Sequence, residues 1–131
     1  MSKYHNKRVQ IDGMWFDSKK EGNHYLYLKD LQKKGIIHNL RMQVPFVLLS
    51  AVKGMTEHKR KQKDGSYKYF MAPGTIQQEV KYFADFVYED RTGKEYVVDV
   101  KSKATAAKEA YKLKKKMMLA LLGIGITEVI Y

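Results

Sequence analysis

Three carboxylates and one lysine have the types and spacing to do chemistry. Asp85 lies in a run of strand formers from Val80 to Glu89, and Asp99 and Lys101 lie in a second run from Lys94 to Lys101. Arg91-Thr92-Gly93 between them suits a three-residue hairpin loop with Gly93 in the left-handed position. If the turn centres on Thr92, paired residue numbers sum to about 184. Asp85 then faces Asp99, and alternation puts Lys101 on their side of the sheet. Directly opposed like charges destabilise a strand pair. Two facing aspartates amid Phe83, Val87 and Val97 therefore need a reason, and a bound divalent cation is the simplest. A slip or bulge that leaves one aspartate in solvent is the other reading, and the hairpin alone leaves both open. Tyr82, Ala84, Phe86, Val98 and Val100 make the opposite face apolar too. The hairpin is thus expected inside a sheet, where an unpaired carboxylate is costly.

Glu21 supplies a third carboxylate. It follows Ser18 by three residues, the spacing of a capping box. At 100° per residue it also projects within roughly 20° of Leu28, at the start of the core-facing stripe. One role aims the carboxylate back at the helix start, the other into the core. Lys101 could neutralise Asp99, or steady a phosphate or a developing hydroxide. Oxygen ligands of this kind suit Mg²⁺, with Mn²⁺ as substitute, rather than zinc. The histidines His5, His24, His38 and His58 show no metal-ligand spacing. No phosphate-binding glycine loop, nucleophile elbow or dinucleotide fingerprint occurs, so no nucleotide cofactor is expected.

These side chains need elements to position them. Residues 8–17 read as a hairpin around Asp12-Gly13. A helix near 18–34 begins at Ser18 and stops at Gly35, with Tyr25, Leu28 and Leu31 inward. Strands follow near 37–50, 80–89, 95–101 and 126–131, with Pro45 marking an edge or a bulge. A helix near 105–122 presents Ala106, Ala110, Leu113, Met117 and Ala120 inward and Lys108, Lys112 and Lys115 outward. The expected fold is α/β, one mixed sheet flanked by helices in the order αβββαβ after an N-terminal hairpin. One domain over 1–131 is expected, with a basic hairpin or loop at about 52–78.

The net charge of +11 attracts polyanions, and DNA is the densest common one. Lys59, Arg60, Lys61 and Lys63 are the candidate DNA contacts, and Tyr67, Tyr69 and Phe70 follow closely. The absence of cysteine excludes disulfides and thiolate metal sites. The sequence has no apolar run long enough for a membrane span, and its N-terminus lacks the apolar segment of a secretory signal. A cytoplasmic location is expected.

Glu21 in a first helix, Asp85 in a central strand and Asp99-Val100-Lys101 in the next resemble the PD-(D/E)xK nuclease superfamily. Asp12-Gly13 through Phe16-Asp17-Ser18-Lys19-Lys20-Glu21, with Gln43 and Tyr82-Phe83-Ala84-Asp85-Phe86, is similar to small phage-encoded Holliday-junction resolvases. The resemblance implies a restriction-endonuclease-like fold and cleavage of branched DNA through a metal-activated water. It implies Asp85 and Asp99 as ligands and Glu21 as a direct or water-mediated one. Gln43 matches a glutamine near such sites, although an ordinary polar strand residue would look the same. A homodimer is also implied, in the host cytoplasm if the chain is phage-encoded. Two departures stand out: Ala84 replaces the usual proline, and Asp99 replaces the commoner glutamate.

Overall fold

The computed structural model describes residues 7–131, so His5 and the N-terminal segment lie outside the described residues. The chain divides into two compact units. One holds the residues up to Phe46 together with Tyr82–Tyr131, and the other is Val47–Lys81.

In the first unit, β1 (Val9–Ile11) and β2 (Met14–Phe16) form an antiparallel hairpin. Asp12 and Gly13 turn it with φ of 52° and 77°, the two left-handed residues that such a turn demands. Helix α1 (Lys19–Lys33) follows. Ser18 Oγ accepts the Glu21 N–H at 3.1 Å and caps it, and Gly35 at φ 73° lets the chain leave. Strand β3 (Ile37–Leu49) then runs across the unit boundary and forms one edge of a four-stranded sheet ordered β3-β6-β7-β8. Pro45 is tolerated there because an edge strand needs fewer ladder donors.

Strands β6 (Val80–Asp90) and β7 (Glu95–Lys101) are the central pair. Their antiparallel register, Phe86 with Val98 and Val87 with Val97, is the one expected from the turn at Thr92. Asp90 holds that turn, with Oδ1 accepting the Thr92 and Lys94 N–H groups. Strand β8 (Ile126–Ile130) runs parallel to β7 on its other side, so the sheet is mixed. Parallel neighbours require a crossover, which α2 (Lys103–Ala106) and α3 (Glu109–Leu122) provide.

The core lies between α1, the small hairpin and one face of the sheet. Phe16, Tyr25, Leu28, Ile37, Phe86, Val98 and Val100 form one buried cluster. Val87 and Val97 alternate to the opposite face and are buried too, as is Met118 of α3.

Three expectations are corrected. The helix near 105–122 is two helices. Ser102 Oγ caps the Thr105 N–H at 3.1 Å and starts a separate turn, and Lys108 then leaves helical geometry at ψ 135°. The inward stripe of α3 is rotated: Tyr111, Lys115 and Met118 face the protein, while Leu113 is 59% exposed. Lys115 turns inward because Glu128 of β8 pairs with it. Phe83 does not flank the aspartates in the core. It is exposed, outside the β6–β7 ladder, whose pairing ends at Phe86 with Val98.

The second unit is a ribbon. Strands β4 (Val52–Lys61) and β5 (Tyr67–Gln77) pair antiparallel in a two-stranded sheet of their own. The turn is held by Asp64, whose Oδ1 accepts the Ser66 N–H at 2.9 Å, and by Gly65 at φ 87°.

Candidate active site

Asp85 and Asp99 sit where β6 and β7 stop exchanging backbone hydrogen bonds. Beyond Phe86 and Val98 the carboxylates take over. The Asp85 N–H donates to Asp99 Oδ1 at 3.0 Å, and the Val100 N–H donates to Asp85 Oδ2 at 2.9 Å. Each acid therefore satisfies a backbone donor of the opposite strand, which a Leu or Val at that place could not do. Both acids are buried, Asp99 completely.

Glu21 reaches the same place from α1. The capping box is only half made, because Ser18 caps the Glu21 N–H while the Glu21 carboxylate turns to Gln43. Gln43 Nε2 donates to Glu21 Oε1 and to Asp85 Oδ1, at 3.1 Å each. Gln43 adopts φ 50°, a left-handed conformation that costs a non-glycine residue on the order of 1 kcal/mol or more. Lys101 Nζ donates to Asp85 Oδ2 at 3.4 Å.

The site holds more negative charge than it neutralises. Burial, then the charges of Asp85 and Asp17, push the Glu21 carboxyl up to about 7. Burial also raises Asp99 above its ordinary value, against the pull of Lys101. Burial by itself would lower Lys101, but Asp85, Asp99 and Glu21 more than offset it and hold the ammonium above its usual range. Lys101 is thus a fixed cation and not a base. His24, one turn along α1, is pushed down by burial.

Glu21, Asp85 and Lys101 line one cavity of about 180 Å³, together with Asp17, Ser18, Val100, Ser102, Thr105 and Tyr131. Asp99 does not line it. The Asp99 carboxylate is turned in behind the Asp85 backbone, whose N–H it accepts. A larger hollow of about 410 Å³ beside Lys94–Val97 and Gly123–Thr127 contains one carboxylate, Glu95, and Arg41 pairs with it.

Among the described residues no three His, Cys, Asp or Glu side chains are gathered into a ready metal cage. Two observations nevertheless fit a hard cation. Asp99 Oδ2 is buried without a hydrogen bond of ordinary length among the described residues, although the Tyr111 hydroxyl is close enough to pull the Asp99 carboxyl down. The bridging Gln43 Nε2 stands between two carboxylate oxygens, where a positive charge is favoured. The donors are carboxylate oxygens alone, as Mg²⁺ or Mn²⁺ prefers.

Two groups near the site are absent from the residues singled out by sequence. Glu128 is the parallel partner of Asp99, and Tyr111 carries a buried hydroxyl without a hydrogen bond of ordinary length among the described residues. Burial, then Asp99 and Glu128, raise the Tyr111 phenol. Its ring also lies 5.8 Å from Lys101 Nζ. Neither could be found by spacing, because both come to Asp99 through the crossover. Of the candidate DNA contacts, Lys59, Arg60 and Lys61 lie on β4 and Lys63 lies in the turn after it. All four are exposed.

Among the described residues no helix is long and apolar enough to cross a membrane. Neither the curated proteins nor the solved structures contain a match to the chain. Residues 1–122 match the model of a family described as "Protein of unknown function (DUF1064)", and the chain belongs to that family.

Proposed function

We propose that this protein is a metal-dependent endonuclease with a restriction-endonuclease-like fold, acting on branched DNA as a Holliday-junction resolvase does. The observation that carries this reading is the charge imbalance at the β6–β7 opening. The charges of three carboxylates, Asp85, Asp99 and Glu21, act on one lysine, and burial raises two of the three acids. The structural role alone, accepting the Asp85 and Val100 N–H groups, would be met by a neutral amide without the cost of buried charge. Asp85, Asp99 and Glu21 would hold Mg²⁺ or Mn²⁺, which supplies Lewis acidity and a nucleophile active at neutral pH.

The chain's own residues do the rest. Lys101 stays protonated and faces the cavity, so it can hold a phosphate oxygen there. Glu21, near half-protonated at neutrality, can accept or release a proton at its carboxyl oxygens. Gln43 orients Glu21 and Asp85 through its amide Nε2. Lys59, Arg60, Lys61 and Lys63 supply phosphate contacts, which position DNA without reading sequence. A homodimer would present two such sites to a junction, as symmetric cutting requires. A cytoplasmic setting, that of the host if the chain is phage-encoded, goes with this reading.

A synthetic four-way junction and a linear duplex of equal length test it. With Mg²⁺ or Mn²⁺ the junction is cut in two strands symmetrically, and EDTA stops the cutting. Equal cutting of the duplex removes the junction preference but leaves a nuclease. No cutting of either substrate with either metal removes the enzyme. A second reading, a DNA-binding accessory that does not cut, draws on the lack of a ready metal cage. Tight junction binding without cutting would favour it.

A further inference from the structure

One face of the β4–β5 ribbon is exposed along its length. Register decides which residues share a face: Lys61 pairs with Tyr67, Lys59 with Tyr69 and Glu57 with Met71, without a bulge between them. These residues lie on one side. Tyr67 is 46% exposed, Tyr69 61% and Met71 58%. The opposite face closes on itself, with His58 stacked on Phe70 at 5.6 Å and Thr56 Oγ1 bonded to His58 Nε2 at 2.9 Å. The tyrosine rings are thus little buried by the fold, and a contiguous exposed apolar patch marks an interaction surface.

We propose that this face binds unpaired nucleotides of a DNA or RNA strand, with bases stacked on Tyr67 and Tyr69 and phosphates met by Lys59 and Lys61. The proposal deepens the nucleic-acid reading above and rests on it for the class of ligand, but not on cutting.

Charge selects a polyanion over a second copy of the chain. Between residues 52 and 77, six lysines and arginines stand against two acids, Glu57 and Asp64. A second copy of the chain would bring the same positive charge to the face, and a polyanion brings the opposite. Spacing then selects unpaired over paired strands. Tyr67 and Tyr69 are two residues apart on one strand, about 7 Å. Bases in a duplex rise about 3.4 Å each. Rings at twice that spacing match bases drawn apart, and they have no access to bases stacked inside a helix. Lys59 Nζ lies 4.6 Å from the Tyr67 ring, so the cation and the ring already share a surface.

The test uses the full chain in EDTA, so that cutting plays no part. Fluorescein-labelled oligothymidylate and a duplex of equal length are titrated over a range of salt. The oligothymidylate is expected to bind more tightly than the duplex. Replacing both rings (Tyr67→Thr with Tyr69→Thr, which keeps strand propensity) is expected to weaken that binding about tenfold or more without changing its salt slope. Tyr67→Phe with Tyr69→Phe is expected to bind as the wild type. Lys59→Gln with Lys61→Gln is expected to lower the salt slope by about 1.4. Wild-type affinity in the threonine pair overturns the proposal. So does a dimer that the threonine pair converts to monomer, which would give the face to a second copy. An iodouracil-substituted strand tests the unaltered protein: photo-adducts at Tyr67 or Tyr69 support the proposal, and adducts only elsewhere overturn it. A protein that passes these tests and fails to cut junctions would sink the nuclease reading alone.

Discussion

Asp85 and Asp99 hold each other's strands: the Asp85 N–H donates to Asp99 Oδ1 at 3.0 Å, and the N–H following Asp99 donates to Asp85 Oδ2 at 2.9 Å. Each acid thus has a structural duty that an amide can perform and an aliphatic side chain cannot. Asp99→Asn keeps an oxygen for the Asp85 N–H and removes a buried negative charge. It is expected to fold with stability near that of the wild type, and to lose cutting. Asp99→Leu leaves that N–H unpaired and is expected to cost about 1–3 kcal/mol. Urea unfolding in EDTA, beside the junction-cutting assay, separates the two effects. Equal stability of Asn and Leu variants would refute the structural duty.

Glu21 makes the metal-free protein sensitive to pH. Its folded pKa, about 7, lies above its ordinary 4.5. The folded state therefore favours the protonated form. The stabilisation is complete below pH 4.5 and is lost as pH rises through 7. Glu21→Gln removes this group's titration. Above pH 7 the variant is expected to exceed the wild type by on the order of 2 kcal/mol in EDTA, while losing cutting. Mg²⁺ is expected to raise the wild-type midpoint more at pH 8 than at pH 5. Thermal melts across pH check both statements.

Gln43 offers a neutral donor to two carboxylates. Gln43→Glu would add a fourth acid at the same place. The expected result is a loss of about 1–3 kcal/mol at pH 8 without metal, with most of it recovered in millimolar Mn²⁺. A loss that Mn²⁺ does not recover would argue that cations do not enter between Glu21 and Asp85. Calorimetric melts with and without Mn²⁺ decide it.

Gly22 lets the small hairpin approach α1. A Cβ there would stand 2.8 Å from Val9 Cγ2 and 2.9 Å from Ile11 Cδ1. Alanine gains about 1 kcal/mol of helix propensity and meets an overpacking cost of about 1–3 kcal/mol. Gly22→Ala is therefore expected to be neutral to destabilising, despite a helix-interior position where alanine normally helps. A clear rise in the urea midpoint would show that the hairpin yields.

What could be read from sequence depended on how local its cause was. The β6–β7 register followed from Arg91-Thr92-Gly93, because a tight turn fixes pairing before any tertiary contact forms. The start of α1 was equally local, since Ser18 caps it. The direction of the Glu21 carboxylate was not, because Gln43 on another strand decides it. The facing of α3 was hidden for a similar reason. Leu113, Leu119, Leu121 and Leu122 are all exposed, so its apolar residues encircle the helix and mark no single face. The polar pair Lys115 and Glu128 sets the rotation, and nothing near Lys115 in sequence announces Glu128.

The parallel crossover between β7 and β8 has a consequence for the order of events in folding. The β6–β7 hairpin closes a short loop and can form early, whereas β8 must wait for α2 and α3 to return it to the sheet. Until β8 docks, Asp99 is on an edge strand, in water, and ionised at little cost. Docking brings Glu128 alongside it and removes the solvent. The electrostatic penalty is thus deferred to a late, non-local step. The early hairpin is relieved of it, and the barrier to completing the domain carries it instead.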